Sequence, residues 1–415
     1  MSLHRKRSRR LARSFITASA AVLAIGAVAL LAFSSTAGLT PSAQSKLDAA
    51  AAPGTGRSSA GVTRHASDGK HSSLPRKGGR PSSGAPHPGT SSISSPGGRA
   101  AGGSGGPILA GDSKTSCVDL AGTGSALMAN LQSAERMAGV TYDCLETFID
   151  ADTTWAEWER PWIDGSQYGF TSWIAASPAK RQLVLSMNLI PDSETDINDP
   201  LGWEKSCDAG DFNGYAVTLA HNLVSSGFGN SVIRLGKEMN GNWENDFMGT
   251  TTQEQQAWAG CFAKEATAMR SVSGAHFLFD WNVNACVENF PLANWYPGNS
   301  YVNIIGIDTY DSFCDGKHPA PSAAAFRQLA DLPDGLNAVQ AFAAEHGKPM
   351  SIPEWGAVAS SSGGLGDDPF YIDGIGSYVA GHDVAFQCYF DPGDDGILPL
   401  TTSNPQALAA YRQEF

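Results

Sequence analysis

Two glutamates stand in short segments that combine acidic, amide and aromatic side chains. Glu238 lies within Arg234-Leu-Gly-Lys-Glu-Met-Asn-Gly-Asn-Trp243, and Glu354 lies within Pro353-Glu-Trp-Gly356. A pair of carboxyl groups can cleave a glycosidic bond, because one protonates the leaving oxygen while the other attacks the anomeric carbon. If the reaction retains configuration, the two groups stand about 5–5.5 Å apart. The fold therefore has to bring Glu238 and Glu354 together across a gap of that size.

Other side chains near these glutamates are suited to binding a sugar. Tryptophan and tyrosine rings offer apolar faces on which a pyranose can stack, while Asn and Arg can hydrogen-bond to hydroxyl groups. The candidates for substrate contact are Arg234, Lys237, Asn240, Trp243, Trp281, Asp308, Tyr310 and Trp355. Packing in the core is an equal alternative for each tryptophan, and Arg234 is equally compatible with a buried ion pair.

Short apolar or β-branched runs alternate with helical patterns through the C-terminal 300 residues, which favours a parallel α/β fold over a sandwich. Eight such runs predict strands at 116–120, 140–148, 182–187, 231–235, 275–281, 302–307, 349–352 and 384–389. Helices are predicted at 125–138, 212–226, 252–272, 322–346 and 371–380, with a capping box formed by Thr252 and Gln255. Eight strands predict a (β/α)₈ TIM barrel, whose reactive groups lie at the carboxyl ends of the strands. An open doubly wound sheet is the alternative, but no glycine fingerprint follows the first run.

Composition divides the chain at about residue 114. All seven Cys and all ten Trp lie in residues 115–415, which we predict to be the catalytic domain. The first 114 residues contain 15 basic and 3 acidic side chains, whereas the remainder contains 13 and 38, a net charge of about −25. Nucleic acid binding requires clustered Lys and Arg, so nucleic acid is not an expected partner. We interpret the acidic surface as a solubility feature.

The N-terminal part is predicted to export the protein. A basic stretch at residues 4–13 precedes an uncharged, mostly apolar run at 14–33, which is typical of a signal segment. Because this run is just long enough to span a bilayer, residues 1–40 are either a cleaved signal peptide or a membrane anchor. Residues 41–114 are rich in Gly, Ser and Pro and predict a disordered linker. We therefore expect a secreted or cell-surface protein, and a monomer.

Cysteines in an exported domain favour disulfide bonds. Cys207 with Cys261 and Cys286 with Cys314 are candidate pairs, and spacing alone leaves other pairings open. Cys388 lies in an apolar run and is the predicted free thiol. The sequence contains no C-x-x-C and no H-E-x-x-H motif, so we expect neither a metal site nor a cofactor.

Three motifs resemble those of glycoside hydrolase family 26. Glu-Met-Asn-Gly-x-Trp at 238–243 looks like the acid/base segment of that family. Trp-Tyr-Pro-Gly at 295–298, followed by Ile-Gly-Ile-Asp-x-Tyr at 305–310, is similar to its sixth-strand segment. Pro-Glu-Trp-Gly at 353–356 is similar to its nucleophile strand. The resemblance is strong over about residues 230–360, weaker over 115–230 and absent before that.

The resemblance implies a barrel of clan A and a retaining β-glycanase. Glu238 would be the acid/base, Glu354 the nucleophile and Tyr310 a partner of the nucleophile, with Trp243 and Trp281 as stacking platforms. Family members mostly cut β-1,4-mannan, so we expect an endo-acting β-mannanase. The alternatives are a β-1,3-1,4- or β-1,3-glucanase on the same scaffold, and an inactive, wall-tethered carbohydrate-binding protein.

Lys237 departs from the family pattern, because the mannanases of the family usually carry His immediately before the acid/base. If its ammonium group points into the cleft, another carboxylate should offset the charge. Asp308, Asp311 and Glu244 are the candidates. Alternatively, Lys237 points outward, since neighbouring residues of a strand alternate in direction.

Overall fold

Eight parallel strands close into a barrel in which each strand pairs with its neighbours in chain order. The first and eighth strands also pair, from Thr115 opposite Phe386 to Leu120 opposite Asp391, and so complete the ring. The computed structural model describes Ile108 and residues 115–149, 154–196, 199–285, 291–313, 319–392 and 396–415. The strands are β1 (Thr115–Leu120), β2 (Cys144–Phe148), β3 (Gln182–Met187), β4 (Val232–Leu235), β5 (Leu278–Asn284), β6 (Ile304–Tyr310), β7 (Met350–Gly356) and β8 (Val384–Asp391).

Helices surround this barrel and connect its strands. They are α1 (Gly124–Ala138), α2 (Trp155–Trp158), α3 (Phe170–Ala176), α4 (Pro200–Ala209), α5 (Asn213–Ser225), α6 (Thr252–Arg270), α7 (Ala323–Ala330), α8 (Leu336–Glu345), α9 (Pro369–Gly381) and α10 (Pro405–Glu414). The predicted (β/α)₈ architecture is confirmed. The single helix predicted at 322–346 was wrong, because the chain turns at Gly335, where an added Cβ would lie 2.7 Å from the Leu329 carbonyl oxygen.

Strand ends differ from the predicted ones in a way that matters for function. β5, β6 and β7 continue several residues beyond the predicted runs and include polar residues as far as Asn284, Tyr310 and Gly356. Successive residues of a strand point to opposite faces, so the polar ones can turn into the barrel while their neighbours pack outward. β2 begins only at Cys144, four residues later than predicted.

The capping box at the start of α6 lies one residue earlier than predicted. The Glu254 N–H donates to Thr251 Oγ1 at 3.2 Å, and the Thr251 N–H donates to Glu254 Oε2 at 2.8 Å. Gln255, the predicted partner, is buried against the core. The prediction of Thr252 and Gln255 was therefore wrong by one position.

Two disulfide bonds occur among the described residues. Cys207 in α4 pairs with Cys261 in α6, as predicted, and Cys388 is a buried free thiol, also as predicted. The second bond, Cys117–Cys144, joins the neighbouring strands β1 and β2 and was not predicted. The predicted pair of Cys286 and Cys314 lies outside the described residues.

One residue of the predicted linker range packs on the barrel. Ile108 is buried in a cluster with side chains at the amino ends of the strands, and its N–H donates to Gln182 Oε1 at 3.1 Å. Across the described ranges, no helix combines the length and apolarity needed to cross a membrane. The apolar run at 14–33 lies outside those ranges.

Candidate active site

Glu238 and Glu354 meet at the carboxyl end of the barrel. Glu238 follows β4 and Glu354 lies near the end of β7, and each side chain is about 1% exposed. One carboxylate oxygen of each, together with one of Asp308, lies within 4.8 Å of the others. The structure thus brings the two predicted glutamates into direct proximity.

The backbone around Glu238 is unusual. Glu238 has a φ of 48°, in the left-handed region that non-glycine residues seldom occupy. Gly236, two residues earlier, has a φ of 62°, and a Cβ there would lie 2.5 Å from Trp258 Cζ2. Such conformations persist where surrounding contacts hold them, and they cluster at functional sites.

Three side chains hold Glu238 in place. The Asn284 amide donates to Glu238 Oε1 at 2.6 Å, and the Trp243 indole N–H donates to Oε2 at 2.7 Å. The Glu238 backbone N–H donates to Asn282 Oδ1 at 3.2 Å. Both carboxylate oxygens are therefore oriented by donors from β5 and from the loop after β4.

Glu354 is held by a different set of groups. The Tyr310 hydroxyl donates to Glu354 Oε2 at 2.8 Å, and Arg234 Nη1 donates to Oε1 at 3.1 Å. The Glu354 backbone N–H donates to Asp308 Oδ1 at 3.0 Å. One oxygen thus faces a hydroxyl and the other a guanidinium, which fixes the orientation of the carboxylate.

Arg234 lies at the centre of a buried network in the barrel. Its guanidinium is fully buried and forms ion pairs with Glu146, with Asp308 at 2.6 Å and with Glu354. It also donates to Asn282 Oδ1 at 2.8 Å. The buried ion-pair alternative therefore describes the placement of Arg234, whereas its predicted contact with substrate stays a prediction.

Carboxyl groups outnumber cations in this network, and burial changes their titration. Burial raises the pKa of Asp308 well above its usual value and raises that of Glu146, while the positive charge of Arg234 opposes both shifts. Burial also raises the pKa of Asp280, which accepts a hydrogen bond from the Ser351 hydroxyl, to about 7. The Asp280 carboxyl is therefore partly protonated near pH 7, which limits repulsion between the carboxyl groups around the guanidinium.

The Lys237 side chain is buried rather than exposed to solvent. Its ammonium group is 3.0 Å from Glu244 Oε2 and 3.3 Å from Asn188 Oδ1, and it lies 5.8 Å from the ring centroid of Phe148. Of the three carboxylates predicted to offset its charge, Glu244 makes the contact. Asp308 is bound to Arg234 instead.

Asp311, the third of those carboxylates, binds the backbone. It accepts a hydrogen bond from the Val358 N–H at 2.5 Å. Burial raises its pKa to about 9, and the nearby charge of Asp368 adds to the shift. Asp311 therefore fixes the loop after β7.

The remaining predicted residues divide between the cleft and the core. Trp243 is partly buried beside Glu238. Asn240 is buried, and its side chain exchanges two hydrogen bonds of 2.9 Å with the backbone of Asn284, so it fastens the loop after β4 to β5. This contact is structural, and the predicted sugar contact of Asn240 stays a prediction.

The structure does not bring Trp281 and Trp355 into the cleft. Both are fully buried on the outer face of the barrel. Trp281 packs against Trp295 at 5.2 Å and Phe342 at 5.8 Å, whereas Trp355 packs against Tyr389 at 4.9 Å. Alternation along β5 and β7 turns these rings away from the inward-facing carboxylates, so the core alternative describes their placement.

Several site residues were missed at the sequence level. Asn282 and Asn284 follow Asp280 at intervals of two, and this spacing on one strand could have indicated three side chains facing the same way. Glu146 lies within the second apolar run, where its neighbours predict only a buried strand. Phe148 and Phe390, whose rings meet edge-on at 5.9 Å, form an aromatic wall that also touches Tyr310.

The carboxylates of Glu238, Asp308 and Glu354 stand close enough to hold a cation together. Arg234 already supplies positive charge to Asp308 and Glu354, and Tyr310 also donates to Glu354. Trp243 and Asn284 donate to the two oxygens of Glu238. A second group of potential ligands comprises Cys207, Cys261 and Glu265, but these two cysteines are bonded to each other.

Comparison with known proteins agrees with this architecture. Residues 173–354, which include β3 to β6, the first five residues of β7 and both glutamates, match the family model of glycosyl hydrolase family 26. A search of curated proteins finds no match to the chain. Among solved structures, a modular endo-β-1,4-mannanase from Cellulomonas fimi aligns with a TM-score of 0.51 at 15% identity, over 74% of this chain and 75% of that one.

A second similar structure is a β-mannanase of the same family from Bacteroides ovatus. It aligns with a TM-score of 0.52 at 11% identity, over 73% of this chain and 88% of that one. At such low identity, the likeness shows a shared fold.

Proposed function

The chain belongs to glycosyl hydrolase family 26 and is a glycoside hydrolase, and from this we propose that it is a retaining endo-β-glycanase whose substrate is β-1,4-mannan. Glu238 serves as acid/base and Glu354 as nucleophile. The observation that carries the proposal is the proximity of the two carboxylates, whose nearest oxygens lie within 4.8 Å. Retaining enzymes have carboxyl groups about 5–5.5 Å apart, whereas inverting enzymes leave about 6.5–9.5 Å for a water molecule.

The contacts of each glutamate fit these roles. Glu354 attacks the anomeric carbon, and the Tyr310 hydroxyl and the Arg234 guanidinium keep its carboxylate aimed during the attack. Glu238 transfers its proton to the leaving oxygen and then, in the second step, removes a proton from the water that releases the sugar. Trp243 and Asn284 hold Glu238 where both transfers occur.

Mannan is the proposed substrate because the compared structures with the same fold are described as mannanases. Trp243 beside the acid/base and Phe148 at the end of β2 are both partly exposed and provide apolar faces for sugar rings. We also propose that the enzyme acts outside the cell, since disulfide bonds persist in oxidising compartments and two are present among the described residues.

The test is the release of reducing sugar by the purified full chain from mannan, galactomannan, barley β-glucan, laminarin and xylan. We expect the highest rate on a mannan and loss of activity in Glu354→Ala. A higher rate on β-glucan or laminarin would replace mannan by a glucan as the substrate. Binding of a glycan without hydrolysis of any of them would overturn the enzymatic proposal in favour of a carbohydrate-binding protein.

A further inference from the structure

We propose that Lys237 is a positioning residue for the acid/base: its ion pair with Glu244 holds the loop 238–244 in the path that places the Trp243 indole against Glu238. The inference rests on the proposed roles of Glu238 and Glu354. Lys237 immediately precedes Glu238, yet its side chain is only about 5% exposed and reaches Glu244, seven residues along the chain.

The loop between these residues consists of two successive tight turns. The Gly241 N–H donates to the Glu238 carbonyl at 2.7 Å, and the Glu244 N–H donates to the Gly241 carbonyl at 3.1 Å. The contact between Lys237 and Glu244 then joins the start of the loop to its end. The backbone bonds set the local turns, and the ion pair closes the loop as a whole.

Trp243 depends on the shape of this loop. Its indole ring lies against the backbone of Gly241, where an added Cβ would overlap ring atoms Cε2 and Cζ2. Its N–H reaches Glu238 Oε2 at 2.7 Å. A shift of the loop by a fraction of an ångström therefore changes the bond that orients the acid/base.

Lys237 is itself held from several sides. Asn188, which follows β3, accepts from its ammonium group, and the Phe148 ring at the end of β2 lies 5.8 Å away. These contacts tie the loop after β4 to the ends of β2 and β3. Glu354, by contrast, is oriented by Tyr310 and Arg234, so the effect of Lys237 is directed to the acid/base and spares the nucleophile.

This selectivity gives a kinetic signature. General acid–base catalysis contributes about 10²- to 10⁴-fold, and a misplacement of about 1 Å can cost about 10²-fold. A substrate whose leaving group departs without a proton does not need the acid in the first step. Loss of the ion pair should therefore lower kcat/KM on manno-oligosaccharides by about 10- to 100-fold, and on 2,4-dinitrophenyl β-mannobioside by less than about 3-fold.

The experiment measures kcat/KM of the full chain on both substrates for the wild type, Lys237→Met and Lys237→Arg. Lys237→Arg keeps a cation that can reach Glu244, and we expect it to recover at least about a third of the wild-type rate on the oligosaccharide. Trp243→Phe keeps the ring but removes the N–H, so it should reproduce the split between substrates. Adding Glu244→Gln to Lys237→Met should lower kcat/KM little further, because both substitutions remove the same ion pair.

Equal losses on both substrates, or no loss on either, in Lys237→Met would overturn the inference. If Lys237→Met does not fold, Trp243→Phe and Glu244→Gln carry the same test, and equal effects of these variants on both substrates would overturn it. A wild type that hydrolyses neither substrate would instead refute the proposed function, so the two failures are distinguishable.

Discussion

Replacing Arg234 by Met should destabilise the protein strongly and in a pH-dependent manner. Methionine is also unbranched but is shorter and uncharged, so Glu146, Asp308 and Glu354 would remain buried without their shared cation. Removing one partner of a buried ion pair costs about 3–5 kcal/mol, because the remaining charge is left uncompensated. We expect the free energy of unfolding to fall by that amount at pH 8.

Arg234→Met should lower the free energy of unfolding less at pH 5 than at pH 8. Burial already raises the pKa of Asp308 and of Glu146, and Arg234 is the group that opposes the shift. Without it, the folded protein binds protons that the unfolded chain releases above about pH 4, so the stability of the variant declines as pH rises. Carboxyl groups that are protonated at pH 5 need no cation, so Arg234→Met lowers the free energy of unfolding less at that pH.

Urea unfolding at pH 5 and pH 8 measures the decrease in the free energy of unfolding and its dependence on pH. Arg270→Met is the matched control, because Arg270 donates to the neutral oxygens of Ser300, Tyr301 and Asn303. In the control, the free energy of unfolding should fall by about 1–2 kcal/mol, by the same amount at both pH values. A loss below about 1 kcal/mol in Arg234→Met, or an equal loss at both pH values, would refute the reasoning.

Three further perturbations test other parts of the structure. Tyr310→Phe removes the hydroxyl donor to Glu354 and should lower kcat about 10- to 100-fold without changing the thermal midpoint, and an unchanged kcat would contradict the role of this bond. Burial raises the pKa of Glu204 to about 9, so at pH 8 the folded protein keeps a proton on this carboxyl that the unfolded chain has released. Glu204→Gln removes this titration and should raise the free energy of unfolding by at least about 1 kcal/mol at pH 8, with no such gain at pH 4. Equal shifts at the two pH values would argue against this titration. Replacing Cys207 and Cys261 by Ser opens a loop with a sequence separation of 54 and should cost about 4 kcal/mol in urea unfolding, and a cost below about 1 kcal/mol would mean that the bond constrains the unfolded chain little.

Patterns of residues were enough to predict the barrel, because each strand of a parallel sheet carries a short apolar run that stands out between helices. They were not enough to locate the strand ends. β5 to β7 continue into polar segments because a barrel interior can hold charged side chains once Arg234 neutralises them. No local pattern reveals that compensation, since Glu146 and Arg234 are 88 residues apart.

The candidate site was predictable where the motif and the chemistry coincided. The carboxylates of Glu238 and Glu354 lie within 4.8 Å of each other at the carboxyl end of the barrel, and Tyr310 contacts Glu354. Trp281 and Trp355 could not be placed from sequence, because a single residue of register decides whether a ring faces the barrel or the helices. The catalytic roles of Glu238, Glu354 and Tyr310 stay predictions.

The most direct test of the central claim is the configuration of the product that azide forms with each glutamate variant. With 2,4-dinitrophenyl β-mannobioside, azide should replace the missing nucleophile in Glu354→Ala and give the α-glycosyl azide, detected by NMR. In Glu238→Ala, azide should instead attack the glycosyl-enzyme and give the β-glycosyl azide. A β-azide from Glu354→Ala, or wild-type hydrolysis in either variant, would contradict the assignment of Glu354 as nucleophile and Glu238 as acid/base.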